Sequence, residues 1–514
     1  MSSMITLQQQ DISSSGGILA ALADKSCECF ASVLRGHLKP IPEHALRHLD
    51  RTIVHTDPHL DEYFAELLFR ACLPSEKWQC PFEEQSIYSA DSSLGGQLIW
   101  PTAATVGLPV AIGAGVRPLF FFDEHVAGQK KIAPSVSQIV ADQMLTSIPS
   151  ALAVMLSEMN AIDEFGGGHP QNLNNLIKTL HEARFFFGQD PSTGGDIRDG
   201  LTPEWKRAIV DVCLASVLKC LADGVDLLGD PAAKRAALAS SLENYISHSI
   251  HSSHPRFLDA VQRIRSVFGD QARVFQEAVL QGRHGPLKDA QGNTTPQLLV
   301  LSRVCFACEH CWGQNIRDII ATHFWEQELQ RQLNFFTVQQ AVQSLFSQPR
   351  PRLVTPAGIL RKAELPPIEI QSPAGGHHKQ APGKKRPVWV VSVSPASGVF
   401  KPNQAISNFI NQNNDGCGLI LIRDTVLGTS VLFKCSGIPD PKWRRLVDEI
   451  VKKEGKTVEP GEGKPEDCGC WHVPVDSAGG MPPFIVNGNK AHQYVPRSAL
   501  DGAVLCELVK RTFY

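Results

Sequence analysis

Short apolar runs that end in polar clusters characterise the first third of the chain. The β-branched run Thr52–Val54 predicts a strand, and a polar segment, His55–His59, follows it directly. Apolar residues then recur at helical spacing over Leu60–Cys72, which predicts an amphipathic helix. Leu119–Phe122 predicts another strand, which ends in an acidic cluster. A strand, a polar loop and a helix in this order are typical of α/β folds, in which such loops carry the chemistry.

The pattern continues with further strands and helices. Leu108–Ile112 is apolar and breaks at a Gly-rich turn, which predicts a strand buried on both faces of a parallel sheet. A helical pattern runs over Ser135–Met159 and ends before the glycine run Gly166–Gly168. Helical spacing and a last apolar stretch then predict a block of helices over Trp205–Leu228, Ala232–Ile250, Phe257–Leu280 and Leu298–Phe324.

The segment 347–387 is rich in Pro, Gly, Lys, Arg and His, a composition that buries little and predicts a linker. Strand patterns follow at Val388–Val393, Gly418–Ile422 and Ser430–Phe433, with helical patterns at Lys442–Lys453 and Arg497–Lys510. We therefore expect an α/β fold: a mostly parallel sheet with helices and a helical block, then a smaller α/β domain. The expected parts are an N-terminal extension (1–45), the first α/β domain (46–200), the helical block that completes it (201–346), the linker (347–387) and the C-terminal domain (388–514).

Composition narrows the class of protein. The chain has 514 residues, of which 43% are apolar and 20% charged, as in folded proteins of more than one domain. Its formal net charge of -3 excludes a global basic field for nucleic acid, so such a substrate would need a local patch or metal ions. Its 14 cysteines show no disulfide framework, which predicts reduced thiols. No run is apolar enough for a secretory core or a bilayer span, so we expect a cytoplasmic protein.

Polar clusters stand at three places where apolar runs end. The first is His55, Asp57, His59, Asp61 and Glu62, the second is Asp123, Glu124 and His125, and the third is Asp163 and Glu164. Aspartates and histidines that converge from several strand ends can hold a divalent cation. Mn²⁺ and Mg²⁺ favour carboxylate oxygens, and Mn²⁺ also accepts imidazole. Because a bound metal lowers the pKa of its water, the clusters predict metal-assisted hydrolysis. The alternative is a set of solvated helix starts and strand ends.

These clusters also carry a resemblance to a known family. His59–Glu62 resembles the His-x-Asp-Glu first motif of the DHH phosphoesterase superfamily, in its branch of melanocyte-proliferating-gene-like exonucleases. Asp123–His125 is similar to the Asp-His-His signature with a glutamate in the middle place, and Asp163 resembles the aspartate of the fourth motif. Asn487–Lys490 looks like the Gly-Asn-Lys loop of that branch's second domain. The matching segments are 51–165 and 387–514.

The resemblance implies an enzyme, a metal-dependent phosphodiester hydrolase such as an exonuclease or nucleotide phosphoesterase. Its active site would lie in the cleft between a DHH-like metal-binding domain and a C-terminal substrate-binding domain. Mn²⁺ or Mg²⁺ would be held by His55, His59, Asp61, Asp123 and Asp163. His125 and Asp57 would be catalytic, and the substrate would be bound by His169, Asn489, Lys490 and His492. The implied substrate is a nucleotide or a short nucleic acid; a homo-oligomer is left open, and no membrane partner is expected.

Two departures from the family keep other functions open. The second-motif aspartate, which bridges two metals, falls at Ala111, and Glu124 replaces a histidine. One alternative is a degenerate DHH-like protein that binds a nucleotide or a partner without catalysis. The other is a metal hydrolase of a non-phosphate bond. The phosphodiester hydrolase would bind a metal, whereas the degenerate protein would bind it weakly or not at all. The hydrolase of a non-phosphate bond would bind a metal but would not cleave a phosphodiester.

A further motif lies in the helical block. Cys305, Cys308 and Cys311 are spaced Cys-x-x-Cys-x-x-Cys, with His310 between them. Such spacing occurs in zinc and iron–sulfur sites. Spacings of three also place all three cysteines on one helix face among apolar neighbours, where cysteine acts as a small hydrophobic residue. Because no fourth ligand stands at an obvious spacing, the pattern favours a buried helix.

Overall fold

The structure is a computed structural model, and its described residues form two compact units. Unit 1 consists of the described residues of Met1–Ala183 and Ile197–Gln332, and unit 2 of those of Leu333–Tyr514. The described residues are 15–55, 57–85, 102–107, 119–124, 132–165, 171–181, 203–248, 257–269, 296–347, 352–355, 358–370, 384–395, 418–424, 430–434, 438, 440–454, 471, 484–487, 498 and 500–513.

A four-stranded, all-parallel sheet organises unit 1. Its strands are β1 (Arg51–His55), β2 (Phe82–Gln85), β3 (Ala103–Val106) and β4 (Phe120–Phe122), in the spatial order β2-β1-β3-β4. The β-branched residues Thr52, Ile53 and Val54 are fully buried in β1, as expected for a strand covered on both faces. The parallel pairing confirms the α/β class that the apolar runs predict.

Helices make up most of the rest of unit 1. They are α1 (Ser15–Leu34), α2 (Glu43–His48), α3 (Leu60–Ala71), α4 (Val136–Met144), α5 (Ser150–Phe165), α6 (Leu173–His181), α7 (Pro203–Ala222), α8 (Pro231–His248), α9 (Phe257–Gly269), α10 (Leu301–Trp312) and the first part of α11 (Gln314–Ser347), whose residues from Leu333 onward belong to unit 2. Every residue of α3 is buried, because α3 packs against α1, α4, α5 and α7. The helix predicted to start at Leu60 is therefore confirmed, and it lies in the core of the unit.

The described part of the N-terminal segment contributes to this core. α1 packs against α3 and α7, and Cys27, Phe30 and Leu34 have no exposed surface. The buried face of α1 combines the large Leu22, Phe30 and Leu34 with the small Ala23, Cys27 and Cys29. The small side chains reduce the contrast in hydrophobicity along the helix.

The helical pattern predicted over Ser135–Met159 folds as two helices. Leu145 is extended after α4 and forms a β-bridge with Leu38, and Pro149 precedes α5. A proline disfavours helical backbone in the residue before it, which explains the break. Asp163 lies in the last turn of α5, whereas the sequence predicted it in a loop after the helix.

Buried ion pairs connect α3 to α7 and to β1. Arg70 donates its Nε–H to Glu66 at 2.8 Å and an Nη2–H to Asp211 on α7. Thr52 of β1 donates its hydroxyl to Glu66 at 2.9 Å. The side chains of Arg70, Glu66 and Asp211 have no exposed surface, so each charge depends on its partners instead of on water.

Unit 2 contains a six-stranded mixed sheet in the order β10-β9-β8-β7-β6-β5. Its strands are β5 (Arg352–Thr355), β6 (Gly358–Ile370), β7 (Lys384–Pro395), β8 (Leu419–Asp424), β9 (Ser430–Lys434) and β10 (Phe484–Asn487). Among these pairs β7 and β8 are parallel, and the other neighbours are antiparallel. Helices α12 (Asp440–Lys453) and α13 (Gly502–Phe513) pack together and share the core of this sheet, with Trp443 and Leu505 fully buried.

Two strands of unit 2 lie where composition predicted a linker. β5 and β6 fall within 347–387, and β6 forms a long antiparallel pair with β7. The register of this pair shifts between Leu365 and Ile368, where two prolines interrupt the ladder because proline has no N–H to donate. The strand predicted over Leu108–Ile112 lies outside the described residues. No described helix combines the length and the apolar character that crossing a membrane requires.

Candidate functional site

The carboxyl ends of β1, β3 and β4 meet at one edge of the parallel sheet. Val54 pairs with Val106, and Val106 pairs with Phe122. The N–H of Gly107, just after β3, donates to the carbonyl of Phe122 at 2.8 Å. The segments after these strands therefore begin side by side at what we call the carboxyl edge. Ligands of open parallel α/β sheets bind at this edge.

β1 continues into α3 through a tight turn at the carboxyl edge. Asp57 has a positive φ of 56°, a conformation that few residues other than glycine adopt. His59 directly precedes α3 and is exposed, and its N–H donates to the Glu62 carboxylate at 2.5 Å. Glu62 therefore stabilises the start of the helix from within its first turn. The turn holds Asp57 and His59 at the carboxyl edge.

The side chain of Glu62 lies over Gly107. Gly107 has a φ of +63°, and a Cβ atom at this position would overlap with the Glu62 carboxylate. Only glycine leaves this space and adopts this conformation without strain. The end of β3 thus accommodates a carboxylate that α3 supplies.

Asp61 points towards the first residues of α4. Its carboxylate accepts hydrogen bonds from the N–H of Val136 at 2.9 Å, from the N–H of Ser137 at 3.1 Å and from the hydroxyl of Ser137. Only 3% of Asp61 is exposed. A carboxylate at a helix N-terminus satisfies N–H groups that have no partner within the helix and interacts favourably with the helix dipole. Asp61 therefore joins α3 to α4, a role that its motif did not predict.

Asp61 also has acidic neighbours, which form what we call the acidic neighbourhood. Burial raises the pKa of Asp61 well above its usual range, and the charges of Asp163 and Glu124 raise it further, while the hydrogen bond from Ser137 lowers it. Asp123 and Glu124, just after β4, are only 5% and 6% exposed. Charges on α5 and at the end of β4 thus act on the buried carboxylate of Asp61. Such a concentration of negative charge favours a bound proton or cation.

Four further polar side chains lie on the β2 side of the carboxyl edge: Asp57, Glu84, His181 and Lys206. The Lys206 ammonium lies 2.7 Å from Oε1 of Glu84. Nδ1 of His181 lies 3.4 Å from the Lys206 nitrogen and 3.6 Å from Oδ1 of Asp57. We call these four residues the lysine–histidine cluster.

The contacts of His181 define its protonation. Its Nε2 lies 2.8 Å from the carbonyl oxygen of Pro58, which can only accept, so Nε2 carries the proton. Nδ1 then faces the Lys206 ammonium as an acceptor, which requires a neutral ring. Burial and the charge of Lys206 together lower the pKa of His181 to about 4, and Asp57 opposes this shift. His181 is therefore a neutral imidazole at physiological pH.

Sequence reasoning missed Glu84, His181 and Lys206. No spacing connects them along the chain, because β2, α6 and α7 each contribute one. A single polar residue in a helix or strand usually marks its solvated face, so the local patterns provide no functional signal. Their proximity results only from the packing of these elements around the end of β1.

Some of the predicted site residues lie in the described part of unit 1, and others lie outside the described residues. Asp61 and Asp163 lie in the acidic neighbourhood, and Asp123 is buried beside Glu124. His55 is the last residue of β1, and its side chain is not among those described. The remaining candidates lie outside the described residues: His125, His169, Asn489, Lys490 and His492. Within the described part of the chain, no group of three or more His, Cys, Asp or Glu side chains is arranged to hold a metal ion.

Comparisons with protein-family models, curated proteins and solved structures found no match to this chain. The resemblance to the DHH superfamily is therefore carried by the motifs alone.

Proposed function

We propose that the chain is a divalent-metal-dependent hydrolase of phosphodiester bonds with its active site at the carboxyl edge of unit 1. The observation that carries the proposal is the acidic neighbourhood, where the charges of Asp163 and Glu124 act on the buried carboxylate of Asp61. Three separate elements supply these carboxylates: α3, α5 and the segment just after β4.

Electrostatics supports a cation at this place. Buried carboxylates that lie close together lose hydration and repel each other, so a proton or a cation stabilises them. Mn²⁺ and Mg²⁺ prefer oxygen ligands, and the carboxylates of Asp61, Asp123 and Asp163 provide them. Imidazoles from His55 and His59 would favour Mn²⁺ over Mg²⁺. The donor chemistry therefore fits the proposed ion, which would supply an activated water and offset charge on a phosphoryl oxygen.

The remaining parts of the proposal concern catalysis and substrate. Asp57, with its positive φ, and His125 are proposed to move protons or orient the phosphate. His169, Asn489, Lys490 and His492 are proposed to contact a nucleotide or the end of a short nucleic acid. A lysine beside glycine and asparagine can reach a phosphate at little steric cost, which favours Lys490 among them.

One observation favours a second candidate function, recognition of a nucleotide or a partner without catalysis. Asp61 accepts hydrogen bonds from the start of α4, and Glu62 accepts one from His59, so both acidic residues of the first motif have structural roles. A protein that retained these residues for its fold alone would not need to bind a metal. Metal binding therefore discriminates between the two functions.

Isothermal titration of Mn²⁺ into the metal-stripped full-length chain tests the proposal. The informative variant is Asp163→Asn, because it removes a charge of the acidic neighbourhood and retains the side-chain shape. Its matched control is Asp142→Asn, which changes an exposed aspartate of α4 in the same way. We expect binding to the wild type and the control, and binding weaker by at least about tenfold in Asp163→Asn, as for residues that support metal sites.

Hydrolysis assays then identify the bond. Mn²⁺-dependent cleavage of an end-labelled oligonucleotide or a nucleotide diester, lost in Asp163→Asn, would support a phosphodiesterase. Mn²⁺ binding without such cleavage would indicate a hydrolase of another bond. An absence of Mn²⁺ binding, or binding that Asp163→Asn leaves unchanged, would contradict the hydrolase and support recognition without catalysis.

A further inference from the structure

Cysteines lie on both sides of the interface between α7 and α10. α7 carries Cys213 and Cys220, and α10 carries Cys305, Cys308 and Cys311. Cys305 and Cys308 are buried in the helix, which confirms the buried-helix interpretation of the cysteine spacing. Cys311, near the end of α10, is partly exposed. The motif thus contains buried cysteines and one that solvent reaches.

Cys220 and Cys311 are in direct contact. Their sulfur atoms lie 3.8 Å apart and share a hydrogen bond. A disulfide bond is about 2.05 Å long, so the two sulfurs must approach each other by roughly 2 Å. Trp312 donates its Nε1–H to the hydroxyl of Ser216 at 2.8 Å, which holds the end of α10 against α7. Because this contact holds the two helices together, we expect rotation of the two side chains to close the gap.

The two cysteines differ in exposure and in acidity. Cys220 has no exposed surface, whereas Cys311 is partly exposed. The hydrogen bond between them lowers the pKa of Cys220, while the same bond and burial raise the pKa of Cys311. Exposure therefore decides the first step, because an oxidant reaches Cys311 and not Cys220, and the raised pKa of Cys311 makes that step slow; Cys220 has the greater thiolate character for the second step.

We propose that Cys220 and Cys311 form a redox-sensitive pair, which a hydroperoxide oxidises to a disulfide that joins α7 to α10. The sulfur of Cys311 attacks the peroxide: an S–O bond forms, the O–O bond breaks, and the leaving hydroxide takes the thiol proton to become water. The sulfur of Cys220 then attacks the Cys311 sulfenic acid, so that an S–S bond replaces the S–O bond and a second water leaves. The two thiols lose two electrons and two protons, and one hydrogen peroxide becomes two waters.

Cys213 and Cys308 provide an internal comparison across the same interface. A hydrogen bond with Cys308 and burial both raise the pKa of Cys213, so this pair is also in contact. Cys213 is fully buried and Cys308 is only 1% exposed. Because solvent does not reach this pair, it stays reduced under conditions that oxidise Cys220 and Cys311.

The disulfide has a measurable effect on stability. It connects positions 91 residues apart in the chain and therefore restricts the unfolded state. The midpoint of thermal unfolding should rise on oxidation by on the order of 5 °C. Reduction should return the midpoint to its original value.

The experiment treats the full chain with hydrogen peroxide, alkylates the remaining thiols and maps unreduced peptides by mass spectrometry. We expect a cross-linked peptide pair that contains Cys220 and Cys311, is lighter by two hydrogen atoms and separates on reduction. Cys311→Ser should remove this product and the rise in the unfolding midpoint. The matched control Cys506→Ser, which removes a partly exposed cysteine of unit 2, should retain both.

Two outcomes would overturn the proposal. One is oxidation of Cys311 or Cys506 to sulfinic acid without any Cys220–Cys311 peptide. The other is a disulfide between Cys311 and a different cysteine. The wild-type peptide map requires no substitution, so it decides the matter even where Cys311→Ser does not fold.

Discussion

Gly107, at the end of β3, lies directly beneath the carboxylate of Glu62, and a Cβ atom at residue 107 would overlap with that carboxylate. The same carboxylate accepts a hydrogen bond from the N–H of His59 at the start of α3. The glycine therefore allows α3 to begin close to the carboxyl edge, where the candidate ligands lie. The residue after β3 must therefore be a glycine, because the side chain of Glu62, a residue of the first motif, occupies the space beside it.

Gly107→Ala should destabilise unit 1 by about 2–3 kcal/mol. About 1 kcal/mol arises from the positive φ, and the remainder from displacement of Glu62 and the loss of its cap. Gly36→Ala is the matched control, because Gly36 has a φ of +85° and a Cβ atom added there would meet nothing within 4 Å. Urea unfolding followed by circular dichroism measures both variants. Equal losses would show that the contact with Glu62 contributes nothing.

Asp211→Asn should destabilise the protein by about 3–5 kcal/mol, because it leaves the buried guanidinium of Arg70 with one carboxylate fewer. The matched control is Asp223→Asn, which changes an aspartate just after the end of α7. Asp223 pairs with Lys219 at 2.7 Å, but these side chains are 44% and 42% exposed, so the loss should stay below about 1 kcal/mol. Unfolding is best measured at pH 8, since burial raises the pKa of Asp211 to about 6. Similar losses in the two variants would contradict the prediction.

Glu158 should make unit 1 less stable as the pH rises. Its fully buried carboxylate accepts hydrogen bonds from the N–H groups of Leu298 and Leu299 and from Asn172. Burial raises its pKa from 4.5 to about 7 despite these bonds. Its contribution to the free energy of unfolding is therefore complete below pH 4.5 and is lost as the pH rises through 7, by about 3 kcal/mol. In Glu158→Gln this loss should be absent from urea unfolding series between pH 4.5 and 8.

His181 should make unit 1 more stable as the pH rises, in nearly the same range of pH. Its pKa is lowered from 6.5 to about 4, so its contribution is present above pH 6.5 and is lost as the pH falls through 4, again by about 3 kcal/mol. The changes with pH that His181 and Glu158 cause in the free energy of unfolding therefore largely cancel in the wild type. Stability should fall with rising pH in His181→Gln and rise with pH in Glu158→Gln. His44→Gln, which changes an exposed histidine of α2, should retain the wild-type profile; a His181→Gln profile like the wild type would refute the prediction.

The sequence predicted an element correctly where the pattern typical of that element lies within its own residues. β1 is a β-branched run, and α3 has apolar residues at helical spacing, so both were predicted close to their observed bounds. β6 was missed for a physical reason. With its prolines and charges, it is stabilised by pairing with β7, which the local pattern does not contain.

The candidate site likewise contains residues that the sequence identified and contacts that it did not. Asp61, Asp123 and Asp163 were identified because each stands near the end of an apolar run, and parallel strands place such ends at one edge. The contact of Asp61 with α4 was not predictable, since its hydrogen-bond donors, Val136 and Ser137, belong to a helix many residues later. A contact between a side chain and the start of a distant helix cannot be recognised from the spacing of the residues around that side chain.

The sequence by itself determined the α/β class, the strand–turn–helix unit at β1 and α3, and the polar residues that follow the strands, because periodicity and strand direction are local properties. The tertiary structure alone decided which side chains meet: Glu62 over Gly107, His181 beside Lys206 and Cys220 against Cys311. These contacts join positions far apart in the chain, and they depend on how helices pack around the sheet. Packing is a property of the whole chain, and no single segment encodes it.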